Sequence, residues 1–188
     1  MKPKIHECLA NDELRPTMCH ALITSEDIVA SDAHVLVWHK TKDFFDEDFI
    51  KSIPKEGILV PKPALYDLSL RSAENFGSRY FESKDKKVRM IIIRHEDDEE
   101  RYFKVRLNNG EAMQKYPAWQ KVWPTLKETE PVTSIGINPV FLAKLAKAIG
   151  SNQLHIRFHG ANKAMVVFEH RGDYENAKGL IMPAMFNT

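Results

Sequence analysis

Asp32 and His34 stand two residues apart in the stretch IVASDAHVLVW. On a strand that spacing puts both side chains on one side. A carboxylate beside an imidazole could then support a general base. No serine or cysteine sits in a recognisable nucleophile elbow, and the 8 glycines are scattered singly, so no phosphate-cradling loop is spelled out. Catalysis through the pair therefore stands third among the readings. The expectation is a chain that is not an enzyme, with no catalytic residue and no cofactor.

His6, Cys8, Cys19 and His20 carry metal-ligating groups. Their order is His-x-Cys, ten residues, then Cys-His, which matches none of the paired spacings of zinc sites. Cys19 and His20 are neighbours and would face opposite sides of a strand. No metal is expected. The opening MKPKIHECLANDE lacks an apolar stretch, and no run reaches the length of a membrane helix. A soluble, cytoplasmic chain with reduced thiols and no membrane partner is expected.

With 27 basic and 26 acidic residues among 188, the net charge of +1 excludes a uniformly basic nucleic-acid binder. A locally basic face remains open. Lys144 and Lys147, three residues apart, share one face of a potential helix opposite the Leu142, Leu145 and Ile149 stripe. Lys62 and Arg71 bracket a second helical stretch, offset by Asp67. Such lysines could meet phosphates or simply be solvated. The chain also closes on AKGLIMPAMFNT, an apolar stretch where termini are usually polar. It is either a strand tucked into a sheet or a surface awaiting a partner.

These residues need elements to place them. CHALIT and IVASDAHVLVW read as short strands joined by a turn at SED, the second broken at SDAH. KTKDFFDEDFIKSIPKE reads as an acidic surface connection. ILV then suggests a strand, and Pro61 and Pro63 can only begin a helix. Ala64, Leu65, Leu68 and Arg71 follow helical spacing. SRYFES, KVRMIII and RYFKVRL are strand candidates, the last alternating apolar with basic residues. A long aromatic loop, NNGEAMQKYPAWQKVWPTLKETEP, follows. VTSIGI is read as a strand. Asn138 and Pro139 then open a helix that Gly150 stops, and LHIRFHG, AMVVFEH and GLIMPAMF close the chain as strands. Strand, helix, three strands thus occurs over about 58–107 and again over 132–186, with residues 1–40 as a shortened copy. The fold class is α+β, with antiparallel sheets and one helix per half-unit.

Three stretches together resemble the bacterial DNA polymerase sliding clamp, the β clamp. DELRPTMCHALI with IVASDAHVLVW is similar to that family's "R-P…G-V-L-F" strand and "V-A-T-D-G-H-R-L-A" corner. KYPAWQKVWP is similar to "F-P-D-Y-R-R-V-L-P" at a domain exit, and GINPVFLAKLAKAI through GLIMPAMF to the last helix and the terminal "V-M-P-M-R-L". The likeness covers most of residues 5–124 and 130–188. It implies a clamp-like domain at 1–124, made of a shortened first half-unit and a complete second, and a C-terminal half-unit at 130–188. Clamp subunits normally carry three domains, so this would be a shortened member. Val35 stands where the family has a basic residue, and Met185 where it has an arginine.

The resemblance implies a hydrophobic cleft that captures peptide motifs of polymerases and repair proteins. One wall would be Ser31, Ala33, His34 and Leu36, and the second Pro117, Lys121 and Val122. Leu180, Met182, Pro183, Ala184, Met185 and Phe186 would make the third. Flexible methionine suits a surface that accepts several peptides. Alternatively the last segment is only a strand covering the core. Lys62, Arg71, Lys144 and Lys147 would face double-stranded DNA without reading its sequence. The resemblance thus implies a processivity factor that contacts or encircles DNA as a homo-oligomer. The rival is a clamp-fold interaction module that binds peptides and forms no ring.

Overall fold

The structure, a computed structural model, describes residues 1–12, 14–70, 78–95, 99–109, 115–124, 132, 134–169 and 176–184. Arg71, Met185 and Phe186 lie outside the described residues.

β1 (His20–Ile23), β2 (Asp27–Ser31) and β3 (Val35–Lys40) follow a 3-10 turn at Ile5–Cys8. Then come α1 (Glu47–Ser52), β4 (Ile58–Pro61) and α2 (Lys62–Leu68). β5 (Ser78–Glu82), β6 (Arg89–Arg94) and β7 (Glu100–Lys104) form a three-stranded antiparallel sheet, and β8 (Arg106–Leu107) leaves it to pair with β4. α3 (Pro139–Ile149), β9 (Leu154–Arg157), β10 (Met165–Glu169) and β11 (Lys178–Ile181) complete the chain. The large sheet runs β8-β4-β1-β2-β3-β11-β10-β9, antiparallel at every described pairing. β11 pairs with β3 through Leu180↔Leu36 and Ile181↔Val35. One sheet therefore spans residues on both sides of the 124–130 boundary.

Alternation along the strands explains why the apolar runs are nearly continuous. Ala21, Ile23, Ile28, Ala30, Val35, Val37, Ile58 and Val60 enter one core with the helical residues Ala64, Leu65, Leu145, Ala148 and Ile149. Leu22, Val29, Leu36, Leu59, Val166 and Leu180 point to the opposite face, into a second cluster with Tyr116, Trp119 and Trp123. A sheet covered on both faces has little room for polar residues on either. The small sheet contributes Ile91 and Ile93 to the first core. Asp67 of α2, 4% exposed, ties that helix to the small sheet by accepting from His95 Nε2 (3.1 Å) and Arg101 (3.2 Å).

Helix ends follow their sequence signals. Asn138 accepts from the Val140 amide, Pro139 occupies the first turn of α3, and Gly150 closes it at φ 87°. α1 is a helix where sequence suggested an irregular connection: Asp46 caps it by accepting from Phe49 N, and Phe49 is buried. VTSIGI differs the other way, because its described part shows only a Gly136–Ala184 bridge and no strand. Gly179 lets β11 approach α3 closely, since a Cβ there would fall 2.5 Å from Leu145 Cδ1.

His39 on β3 is fully buried, with Nε2 2.9 Å from the Ala148 carbonyl. A carbonyl only accepts, so Nε2 carries a proton. Burial pushes its pKa down to about 4. The neutral ring is therefore the folded form, and the stability it contributes is present above about pH 6.5 and lost towards pH 4. The unfolding free energy should fall by up to about 3 kcal/mol by pH 4, read as a falling urea midpoint across that window. Flat midpoints from pH 7 to 4 would refute the burial account.

Candidate functional site

The link between β2 and β3 is a tight corner rather than a continuous strand. Ser31 Oγ donates to the Val35 carbonyl (2.8 Å) and accepts from Ala33 N (3.1 Å). Asp32 Oδ1 accepts from the amides of His34 (2.9 Å) and Val35 (3.0 Å). Ala33 is forced to φ 75°, a left-handed conformation that glycine adopts more easily. Asp32 Oδ2 accepts from Lys144 Nζ of α3 at 3.1 Å, and the His34 ring stacks on Phe141 at 4.9 Å. The carboxylate and imidazole therefore do not sit side by side along a strand. Asp32 spends its oxygens holding the corner.

Beside this corner β11 runs along β3, and Met182 N donates to the His34 carbonyl (3.0 Å). Ala184 N then donates to Gly136 (2.8 Å). On the second face of the sheet lies the segment 116–123. Tyr116 N donates to Asn108 Oδ1 (2.6 Å), and Trp119–Val122 forms a 3-10 turn. Trp119 and Trp123 pack on Trp38, with centroids 6.4 and 6.5 Å away.

Corner, aromatic segment and β11 enclose a groove of about 210 Å³. Ser31, Ala33, His34, Leu36, Pro117, Val122, Leu180 and Met182 all line it. Lys121 is exposed next to Val122 and does not line it; neither do Pro183 and Ala184. Sequence reasoning missed Met18, Tyr116, Trp119 and Ala164, which complete the lining with Val35 and Ala118. The spacing of Tyr116, Trp119 and Trp123 in the long loop was the available signal. Met182 is 46% exposed at the groove's edge.

The Tyr116 ring is 4% exposed, and its hydroxyl has no hydrogen-bond partner among the described residues. Burial pushes its pKa up; the nearby Ser31 backbone opposes this without reaching hydrogen-bond geometry. An unspent buried hydroxyl costs stability. Tyr116→Phe should therefore stabilise the fold by about 1 kcal/mol, read as a higher melting temperature. A lower one would mean that the hydroxyl has structural work.

Of the cations expected at a duplex, the three that lie among the described residues all have partners within the chain. Lys62 donates to Asn11 Oδ1 (2.9 Å), Lys144 pairs with Asp32, and Lys147 lies 3.7 Å from Glu7. Cys8 is fully buried, which pushes its thiol pKa up, and Cys19 Sγ donates to Asp12 O (3.3 Å). Both thiols are free, and no cluster of metal-ligating side chains occurs among the described residues. No helix among them is long and apolar enough to cross a membrane.

No family model matches the sequence, and no curated protein matches it. Solved structures do match the fold. The DNA polymerase III β chain of Streptococcus pneumoniae superposes with a TM-score of 0.63 at 16% identity, and the β clamp of Helicobacter pylori, solved with diflunisal, with 0.62 at 16%. The DNA polymerase sliding clamp of Caulobacter crescentus gives 0.51 at 12%. Each comparison covers 97% of this chain and 62% of the clamp chain. The chain thus spans less than two thirds of the clamps it matches. Its α+β architecture is that of bacterial β-clamp domains.

Proposed function

We propose that this chain is a sliding-clamp-like processivity factor that tethers replication or repair proteins by capturing short apolar segments in its groove. The observation behind this reading is the groove itself: it opens between the β2–β3 corner, the segment 116–123 and β11 of a clamp-like fold. Apolar lining with few polar groups suits peptide docking. Tethering needs no chemistry from the chain. Holding DNA would need self-association, because a chain of this size cannot encircle a duplex.

A second reading keeps the groove and drops the DNA: a clamp-fold module that docks peptides as a monomer. The internal engagement of Lys62, Lys144 and Lys147 favours it. Sedimentation mass with duplex affinity at low salt decides between the two. The processivity factor should assemble, and Lys62→Glu with Lys147→Glu should weaken duplex binding roughly tenfold. Lys144 is unsuited to that test, because a glutamate there would confront Asp32. A strict monomer whose duplex binding ignores both substitutions is the interaction module.

A further inference from the structure

We propose that the groove selects apolar segments flanked by acidic residues, an inference that rests on the groove being a peptide site. Its lining is aliphatic and aromatic apart from Ser31, His34 and the Tyr116 hydroxyl, and the Ser31 hydroxyl is spent within the corner. The lining thus selects an apolar core and says nothing about charge. The rim does. Lys115 adjoins Tyr116, Lys121 adjoins Val122 and Lys163 adjoins Ala164, and all three are exposed. Among the described residues, the one acid next in sequence to a lining residue is Asp32, which is 9% exposed and holds Lys144 and two backbone amides. Arg15 adds a guanidinium 3.4 Å from the Asp32 carbonyl, itself shared with Asp12.

The whole chain carries only +1, so this rim is a local excess rather than a general basicity. Cations around a low-dielectric trough focus a positive potential over it. A segment with carboxylates on either side of its apolar core enters that field, and one with lysines there is repelled. Lys115 and Lys121 are exposed to solvent, so the preference is screened by salt.

The test uses peptides selected on this protein from a random twelve-residue display library. Each selected core is resynthesised with Glu, Gln or Lys flanks, and affinity is read by anisotropy. At 50 mM salt the Glu-flanked form should bind roughly tenfold more tightly than the Lys-flanked form, and the gap should close to about twofold at 500 mM. Lys115→Glu with Lys121→Glu, at two exposed positions, should reverse the ranking. Flank-independent affinity, or a preference for Lys, overturns the acidic-flank proposal and leaves peptide docking standing. Failure to select any peptide, or selected peptides indifferent to Met182→Asp, overturns peptide docking and this proposal with it.

Discussion

Met182→Asp is expected to weaken capture of a selected apolar peptide at least a hundredfold, near 3 kcal/mol, while leaving the fold intact. The side chain is 46% exposed, so the empty protein can keep a carboxylate at that position in water. A docked peptide removes that water. The carboxylate would then be buried against Leu36, Leu180 and Val122. Burying an unpaired charge costs far more than losing a thioether contact. Met182→Leu serves as the control, because it keeps volume and apolarity and should cost less than about threefold. Equal peptide affinity for Met182→Asp and the parent would remove this edge from the site.

Asp32→Ala should cost the fold about 3 kcal/mol, the largest loss expected from a single polar side chain here. The substitution strips acceptors from the amides of His34 and Val35 and strands Lys144, whose side chain is 31% exposed. Asp32→Asn keeps an acceptor for the two amides but loses the charge and turns an NH2 donor towards Lys144, so about half the loss should return. Urea denaturation of the two variants separates the parts. Both should also loosen the wall carrying Ala33 and His34, so peptide affinity should fall with stability. A stable Asp32→Ala with full peptide affinity would show that Ser31 alone builds the corner. Lys144→Glu should be worse than Lys144→Ala for the same reason, since it places a second carboxylate within reach of the first.

Much of the framework was legible because its signals are local. Strands β1 to β4 are dense in branched apolar residues, and α3 announces both ends through Asn138-Pro139 and Gly150. α1 was hidden because EDFIKS is a single acidic turn and a half, whose only strong signal is Asp46. VTSIGI alternates correctly, yet its described part finds no partner beyond one bridge. Pairing is a tertiary event that alternation does not guarantee. The groove's outline was readable from Ser31, Leu36, Pro117 and Met182 only through resemblance to clamps. Nothing local says that residues 31–36 meet residues 180–182. The Lys144–Asp32 pair was invisible for the same reason: its partners are 112 positions apart. Viewed along α3 alone, Lys144 resembles Lys147. The corner across the core makes one a strut and leaves the other 53% exposed at the surface.

The position of β11 also bears on how the molecule is made. Residues 178–181 occupy an inner lane of the large sheet, with β3 on one flank and β10 on the other. A ribosome delivers β3 some 140 residues before its neighbour. Until then β3 is a raw edge, primed to zip with the equivalent ribbon of another nascent molecule. Closure of the sheet is therefore a late event in biosynthesis, slowed by the long excursion between its two halves.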